Sequence, residues 1–378
     1  MVELSLVDGG LLSRFMRRIG LADRVRMQAL VFPLVAWLPL AALSVFEGRA
    51  VSGVKIPFFL DYGVYGRLLV AVPLLVLAEI AVRKRTRAVL RDFVTAKLIS
   101  EQDMPRFEHA VAAAARLSES LLPEAIALGA VYAVTALRIH LVPFEPLTTW
   151  YHKGNVITLA GWYYALASLP IFLFLLIRWI WRLAIWTGLL WKISRLGLQL
   201  LPIHPDGMGG LGFLRLAQTP FGLVGFAGGA VMSSYLIRGM IYSGGSLGGS
   251  VAPMAAYVIL ATFVILAPAF AFTDKLVEVR ANGLLKYGDI GQEYARLFDE
   301  KWAKGVNPDS ETILGSTDIQ SLADLRNSLV IVQNMSVVAI DRKTIIIIAA
   351  AAAIPMLPLL LLAVPFEEII ARLLGLRG

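Results

Sequence analysis

The residues best placed to do chemistry lie in the stretch Leu201 to Leu214, LPIHPDGMGGLGFL. His204 and Asp206 stand two residues apart, with Gly209 and Gly210 close behind. A histidine beside a carboxylate can bind a cation, orient an anion or pass a proton, because imidazole changes charge near neutral pH. The same residues also describe a rigid turn. In that reading Pro205 fixes the backbone, Asp206 caps the next helix, and the glycines permit the bend. Arg178 and Arg182 are a second candidate: at helical spacing they share one face, among Trp179, Trp181, Trp186 and Trp191. They read as a site for an anion or lipid headgroup, or as snorkelling arginines in an aromatic belt. The third candidate is the polar run GSTDIQSLADLRNS, residues 315–328, where Asp318 and Arg326 are available to the His204 turn. Its alternative is a capped amphipathic helix facing water.

Other chemistries are excluded by composition. The chain has no cysteine, so thiolate nucleophiles, disulfides and Cys-ligated metals are ruled out. His109, His140, His152 and His204 form no helically spaced pair, so neither a metal nor a haem is expected, and no cofactor. GMGGLGF lacks the Lys-Ser/Thr of a phosphate loop, and no HExxH, GxSxG or EF-hand pattern occurs. His-Pro-Asp also marks a soluble co-chaperone hairpin, but here it falls between two apolar segments.

What must position these residues is a membrane. Of the 378 residues 58% are hydrophobic and only 16% charged, with a mean hydropathy of +0.72. Soluble domains carry about a quarter charged residues. The expected fold class is therefore all-α, a polytopic bundle of about seven spans with a helical cap. The spans fall near 28–46, 63–82, 121–139, 160–182, 220–241, 252–272 and 344–365, each long enough to cross the roughly 30 Å hydrocarbon core. The net charge of +8 belongs to loops rather than to nucleic-acid binding. Arginines precede span one, and Arg83, Lys84, Arg85, Arg87, Arg91 and Lys97 follow span two, whereas the loop 242–251 has no charge. Positive residues stay in the cytoplasm. This places segment 1–27, the helical insert 83–120 and segment 273–343 inside, and the C-terminus, after the last span in 344–378, outside.

Glu79, Glu124 and Arg238 lie near span ends and read as interfacial, so no mid-membrane carboxylate relay is expected. Pro33, Pro39, Pro73, Pro123, Pro170, Pro220, Pro268, Pro355 and Pro358 sit in or beside the spans. Pro355 and Pro358 would break span seven, as in transporters with discontinuous helices. Gly225 and Gly229 form GxxxG, a packing face within the bundle or between protomers of a homo-oligomer. Ser233 and Ser234 either line a polar path or bond the preceding turn. In the insert, Asp103 is expected as an N-cap, with Pro105 in the first turn and Phe107, Val111, Ala114 and Leu117 on one face. In 273–343, Ile290, Tyr294, Leu297 and Phe298 form one stripe and Ile319, Leu322, Leu325 and Leu329 another, the second helix capped by Ser316 or Asp318. No strand pattern is evident.

The runs HPDGMGGLGFL and GSTDIQSLADLRNS resemble those of an uncharacterised bacterial multi-pass inner-membrane protein family, over about 63–372 of the chain. The resemblance implies a bacterial cytoplasmic membrane and brings no activity, substrate or catalytic residue. Three functions fit the residues: a channel or transporter gated by His204 and Asp206, with Asp318 or Arg326 as partner; a membrane sensor or assembly scaffold working through its helical cap; and a lipid-acting enzyme using His204 and Asp206 beside Arg178 and Arg182.

Overall fold

In hydrocarbon every backbone polar group must be bonded internally, so apolar stretches of this length fold as helices. A computed structural model of the chain describes residues 14, 16–18, 20, 24–141, 147–154, 156–304 and 317–359. Among these, six helical stretches are long and apolar enough to cross a membrane. They contain α1 (Val25–Phe46), α2 (Tyr62–Thr95), α3 (Met104–Glu119) running into α4 (Leu121–Leu141), α5 (Leu159–Ser194), α6 (Leu214–Tyr242) and α7 (Leu247–Leu266). Two further helices, α8 (Thr273–Phe298) and α9 (Thr317–Gln333), precede α10 (Arg342–Ala353). The chain is an all-α integral membrane protein. Helix α10 covers the first part of the segment expected as a seventh span, 344–365, whose residues beyond 359 lie outside the described residues.

Several helices overrun the bilayer. With a rise of about 1.5 Å per residue, the 34 residues of α2 span roughly 50 Å against a core of about 30 Å. Its last turns, from Arg83 onward, therefore stand outside on one side. The stretch Leu247–Ala303 is helical over 57 residues, so α8 projects on that same side. That side, which carries Arg83, Lys84, Arg87 and Arg91, is the basic side of the molecule. The opposite end holds the loops between α1 and α2, α4 and α5, and α6 and α7.

The prolines explain most departures from α-geometry. A proline ring clashes with the carbonyl four residues earlier. The residues ahead of Pro73 and Pro170 accordingly widen into π-helix, at Tyr65–Ala71 and Tyr164–Ser168. Pro220, Pro268 and Pro355 each sit in a 3₁₀ turn instead, at Thr219–Phe221, Ala267–Phe272 and Ile354–Met356. The break predicted at Pro355 is thus present, while Pro358 lies just beyond it. Pro33 and Pro39 remain inside continuous α1.

The core runs through the bundle centre and its basic end, with Leu40, Leu68, Leu75, Phe93, Trp186, Phe221 and Phe272 fully enclosed. Gly225 and Gly229 serve this interior: a Cβ on Gly229 would lie 2.3 Å from the Ala352 carbonyl oxygen of α10, and one on Gly225 3.2 Å from Ile265. The GxxxG face therefore joins α6 to α7 and α10 within one chain. Ser234 donates to the Val231 carbonyl, so it bonds the preceding turn.

Three details depart from expectation. Asp103 does not cap α3 with its side chain; its carboxylate accepts from the Gly197 N–H (2.8 Å) and the Ser100 hydroxyl, tying the insert to the end of α5. Leu117 is exposed, while Phe107, Val111 and Ala114 are buried as predicted. A two-residue hairpin, β1 (His152–Lys153) with β2 (Val156–Ile157), occupies the loop before α5, where Ile56 pairs with Thr149 across two loops.

Candidate functional site

The ionisable groups that sequence reading placed at separate span ends meet inside the bundle. Arg178 and Arg182 lie on the inward face of α5, 4% and 3% exposed, and Glu79 of α2 and Glu124 of α4 are each 6% exposed. Arg178 Nε donates to Glu124 Oε1 at 2.9 Å, and its Nη1 to Glu79 Oε1 at 2.8 Å. Arg182 Nη1 donates to the same Glu79 oxygen at 2.8 Å. Two cations and two anions balance, as burial demands: an isolated charge in a low-dielectric interior is prohibitively costly, whereas a paired and hydrogen-bonded set is tolerated. Trp179 supports the cluster twice. Its indole N–H donates to the Leu75 carbonyl at 2.8 Å, and the Arg182 guanidinium lies 5.0 Å from its ring centroid, within cation–π range.

This corrects the belt reading of α5. Arg178 and Arg182 do not snorkel toward headgroups, because Glu79 and Glu124 offer them charged partners inside the protein. Trp179 and Trp186 are buried with them, and Trp191 alone of the four tryptophans is clearly exposed, beneath Arg195. A signal for the cluster was in the sequence. All four groups fell at span ends assigned to the same membrane side, at similar depth and with opposite sign.

The His204 turn is closed by its own carboxylate. Asp206 Oδ1 accepts the backbone N–H groups of Met208 (2.8 Å) and Gly210 (3.1 Å), and Oδ2 that of Gly212 (2.7 Å). His204 Nδ1 lies 2.9 Å from Oδ1. Partial burial pushes the Asp206 carboxyl up, but the three backbone donors and His204 outweigh it, and it is held below its ordinary range. Gly207, Gly209 and Gly210 adopt φ of +63°, +66° and +98°, which side-chain-bearing residues rarely do. Asp206 organises this loop rather than capping α6. The loop is also a joint: the Gly207 carbonyl accepts from Ser336 N–H at 2.8 Å, and a Cβ on Gly209 would meet Met335 at 3.1 Å.

Asp318 and Arg326 lie on α9, away from this joint in the chain. The Asp318 carboxylate accepts from Lys301 Nζ (2.8 Å) and Trp302 Nε1 (3.1 Å), which hold it below its ordinary range, and Arg326 is exposed. Asp318 thus fastens α9 to the end of the long α8 helix, from inside α9 rather than as its cap; Ser316 lies outside the described residues. The two predicted stripes make the α8–α9 contact through Tyr294, whose hydroxyl donates to the Asp318 carbonyl, but Ile290, Leu297 and Ile319 stay exposed.

One cluster at the opposite end escaped sequence reading. The two π-helical turns meet where Arg67 of α2 donates to the Tyr164 hydroxyl of α5. Beside them Asp61, 2% exposed, accepts from Trp150 Nε1 at 2.9 Å and from the Gly63 N–H at 3.0 Å. Arg238 of α6 donates to the Tyr151 hydroxyl at 3.2 Å. The aromatic run Trp150-Tyr151 with Trp162-Tyr163-Tyr164, and the prolines downstream, were the available signals. No group of three or more His, Cys, Asp or Glu residues with metal-binding geometry occurs among the described residues. Compared with known protein families, curated proteins and solved structures, the chain matches none.

Proposed function

We propose that the chain is a channel or transporter for an ion or small solute in a bacterial cytoplasmic membrane, with its N-terminus and basic side in the cytoplasm. The observation that carries this reading is the balanced cluster of Arg178, Arg182, Glu79 and Glu124, held by three different membrane helices. Ionisable groups at membrane depth are costly and mark transport pathways in membrane proteins. A set of shared ion pairs across α2, α4 and α5 is a natural bistable element, since a permeating anion competes for the guanidinium groups and a cation or proton for the carboxylates. In this reading the cluster is the gate and the His204–Asp206 turn is the joint that couples the membrane bundle to the segment 335–339. The positive residues in the C-terminal part of α2 and at the start of α1 support the orientation.

The test is flux in proteoliposomes carrying the purified protein, over a panel of inorganic ions and small organic anions. Uptake or conductance is expected, and Arg182→Gln or Glu79→Gln is expected to lower it by an order of magnitude or more at equal incorporation. Correctly inserted protein that conducts nothing in the panel would overturn the reading. A membrane-anchored sensor or scaffold is the second reading, and one observation favours it: the α8–α9 hairpin stands off the bundle with Leu285, Ile290, Leu297 and Ile319 exposed. Co-purification of a soluble partner, lost on Asp318→Ala, together with absent flux, would select it.

A further inference from the structure

A cavity of about 760 Å³ opens on the basic side between the start of α1 and the end of the membrane part of α2. Arg24 and Arg26 line one wall, and Arg83, Lys84, Arg87 and Arg91 the other. Among the described residues no carboxylate lines it. Residues 83, 84, 87 and 91 recur at helical spacing, so one face of α2 presents four cations to the same space. The first turn of α1 contains no acidic residue, so its backbone N–H groups add to the positive potential there.

The remaining lining is apolar and lies toward the bilayer: Val25 and Met27 of α1 and Ile80 of α2. From the cavity an exposed stripe continues along α1 through Met27 (47%), Leu30 (67%) and Leu34 (55%). A cationic pocket at the level where the helices leave the hydrocarbon, opening upward onto an apolar strip, has two halves of unlike chemistry. The lower half complements phosphate, for which arginine supplies planar paired donors. The upper half complements an acyl chain. A free phosphate would use only the first.

We propose that this cavity is a binding site for the phosphate headgroup of an anionic phospholipid, with an acyl chain lying along Met27, Leu30 and Leu34. Basic pockets between membrane helices on the positive side commonly hold such headgroups. The cavity lies beside the exposed Ile80 on α2, whereas the buried Glu79 faces inward to Arg178, so it is separate from the ionic cluster.

The experiment is native mass spectrometry of the full chain in detergent, after delipidation and addition of phosphatidylglycerol or phosphatidylcholine. Retention of phosphatidylglycerol is expected to exceed that of phosphatidylcholine by about tenfold or more, and to weaken as ionic strength rises. The triple variant Arg83→Gln, Arg87→Gln, Arg91→Gln is expected to abolish the preference. The independent pair Arg24→Gln, Arg26→Gln, from the opposite wall, is expected to lower it without disturbing α2, and Arg-to-Lys changes at the same five positions to retain most of it. Equal retention of the two lipids, or an unchanged preference in both Gln variants, would overturn the proposal. Displacement of the lipid by inorganic phosphate alone at equal concentration would overturn the lipid assignment and leave a free-anion site.

Discussion

At the residue scale, two carboxylates that look alike in the chain have opposite roles. Glu79 exists to balance buried guanidinium groups. Glu79→Gln would leave the cluster with one net positive charge in a water-poor interior, at a cost of about 3–5 kcal/mol. Adding Arg182→Met restores neutrality and should recover a substantial part of the loss, read as the melting temperature in detergent for the two single variants and the double. If the double variant is merely the sum of the singles, the charges are not coupled. Asp206, in contrast, organises backbone. Its folded carboxyl titrates below its ordinary value, so its stabilising contribution is present above about pH 4, the unfolded value, and is lost as pH falls through the lower folded value. Asp206→Asn should therefore destabilise the protein near neutral pH by about 2 kcal/mol and converge with the parent in strong acid; equal separation at all pH would contradict this. The His204–Asp206 proximity was legible in sequence because it is local. The Arg178–Glu79 pairing is separated by 99 residues and was visible only as matching depth and opposite sign.

At the element scale, proline position governs helix geometry. Pro73 and Pro170 widen the turns before them, and those turns carry Arg67 and Tyr164 to their meeting point. The kinks were legible in the sequence, since a missing N–H and a ring clash are properties of one residue. Whether such a kink is a π turn or a 3₁₀ turn was not legible there, because that choice depends on what the neighbouring helix allows. The glycine face of α6 shows the same division. Its spacing announced close helix approach, but whether the partner was another helix of this chain or a second protomer required the packed bundle. With Ala352 at van der Waals limits, Gly229→Ala should lower stability by about 1–3 kcal/mol. Gly239→Ala on the same helix, where a Cβ meets nothing within 4 Å, should be close to neutral. Thermal unfolding of the two variants side by side decides it; equal effects would place the α6–α10 contact elsewhere.

At the scale of the whole molecule, a membrane bundle with a projecting helical hairpin follows from lengths alone: helices of 34 and 57 residues cannot be contained in a layer about 30 Å thick. The connection that follows the hairpin packs against the His204 turn, where Ser336 and Met335 seat against Gly207 and Gly209. Accordingly, variants that loosen this turn should alter any flux without touching the ionic cluster; transport assays on Asp206→Asn in proteoliposomes test that coupling. The sequence by itself determined the solvent, the helical class, the approximate spans and the basic side, because hydrophobic length and charge distribution are sums over neighbouring residues. Only the tertiary structure decided that Arg178 and Arg182 turn inward to Glu79 and Glu124, that Gly229 meets α10, and that Arg24 and Arg91 face one cavity. Each of those joins residues far apart in the chain, and a side chain chooses between lipid, water and protein according to which partner the fold brings within reach.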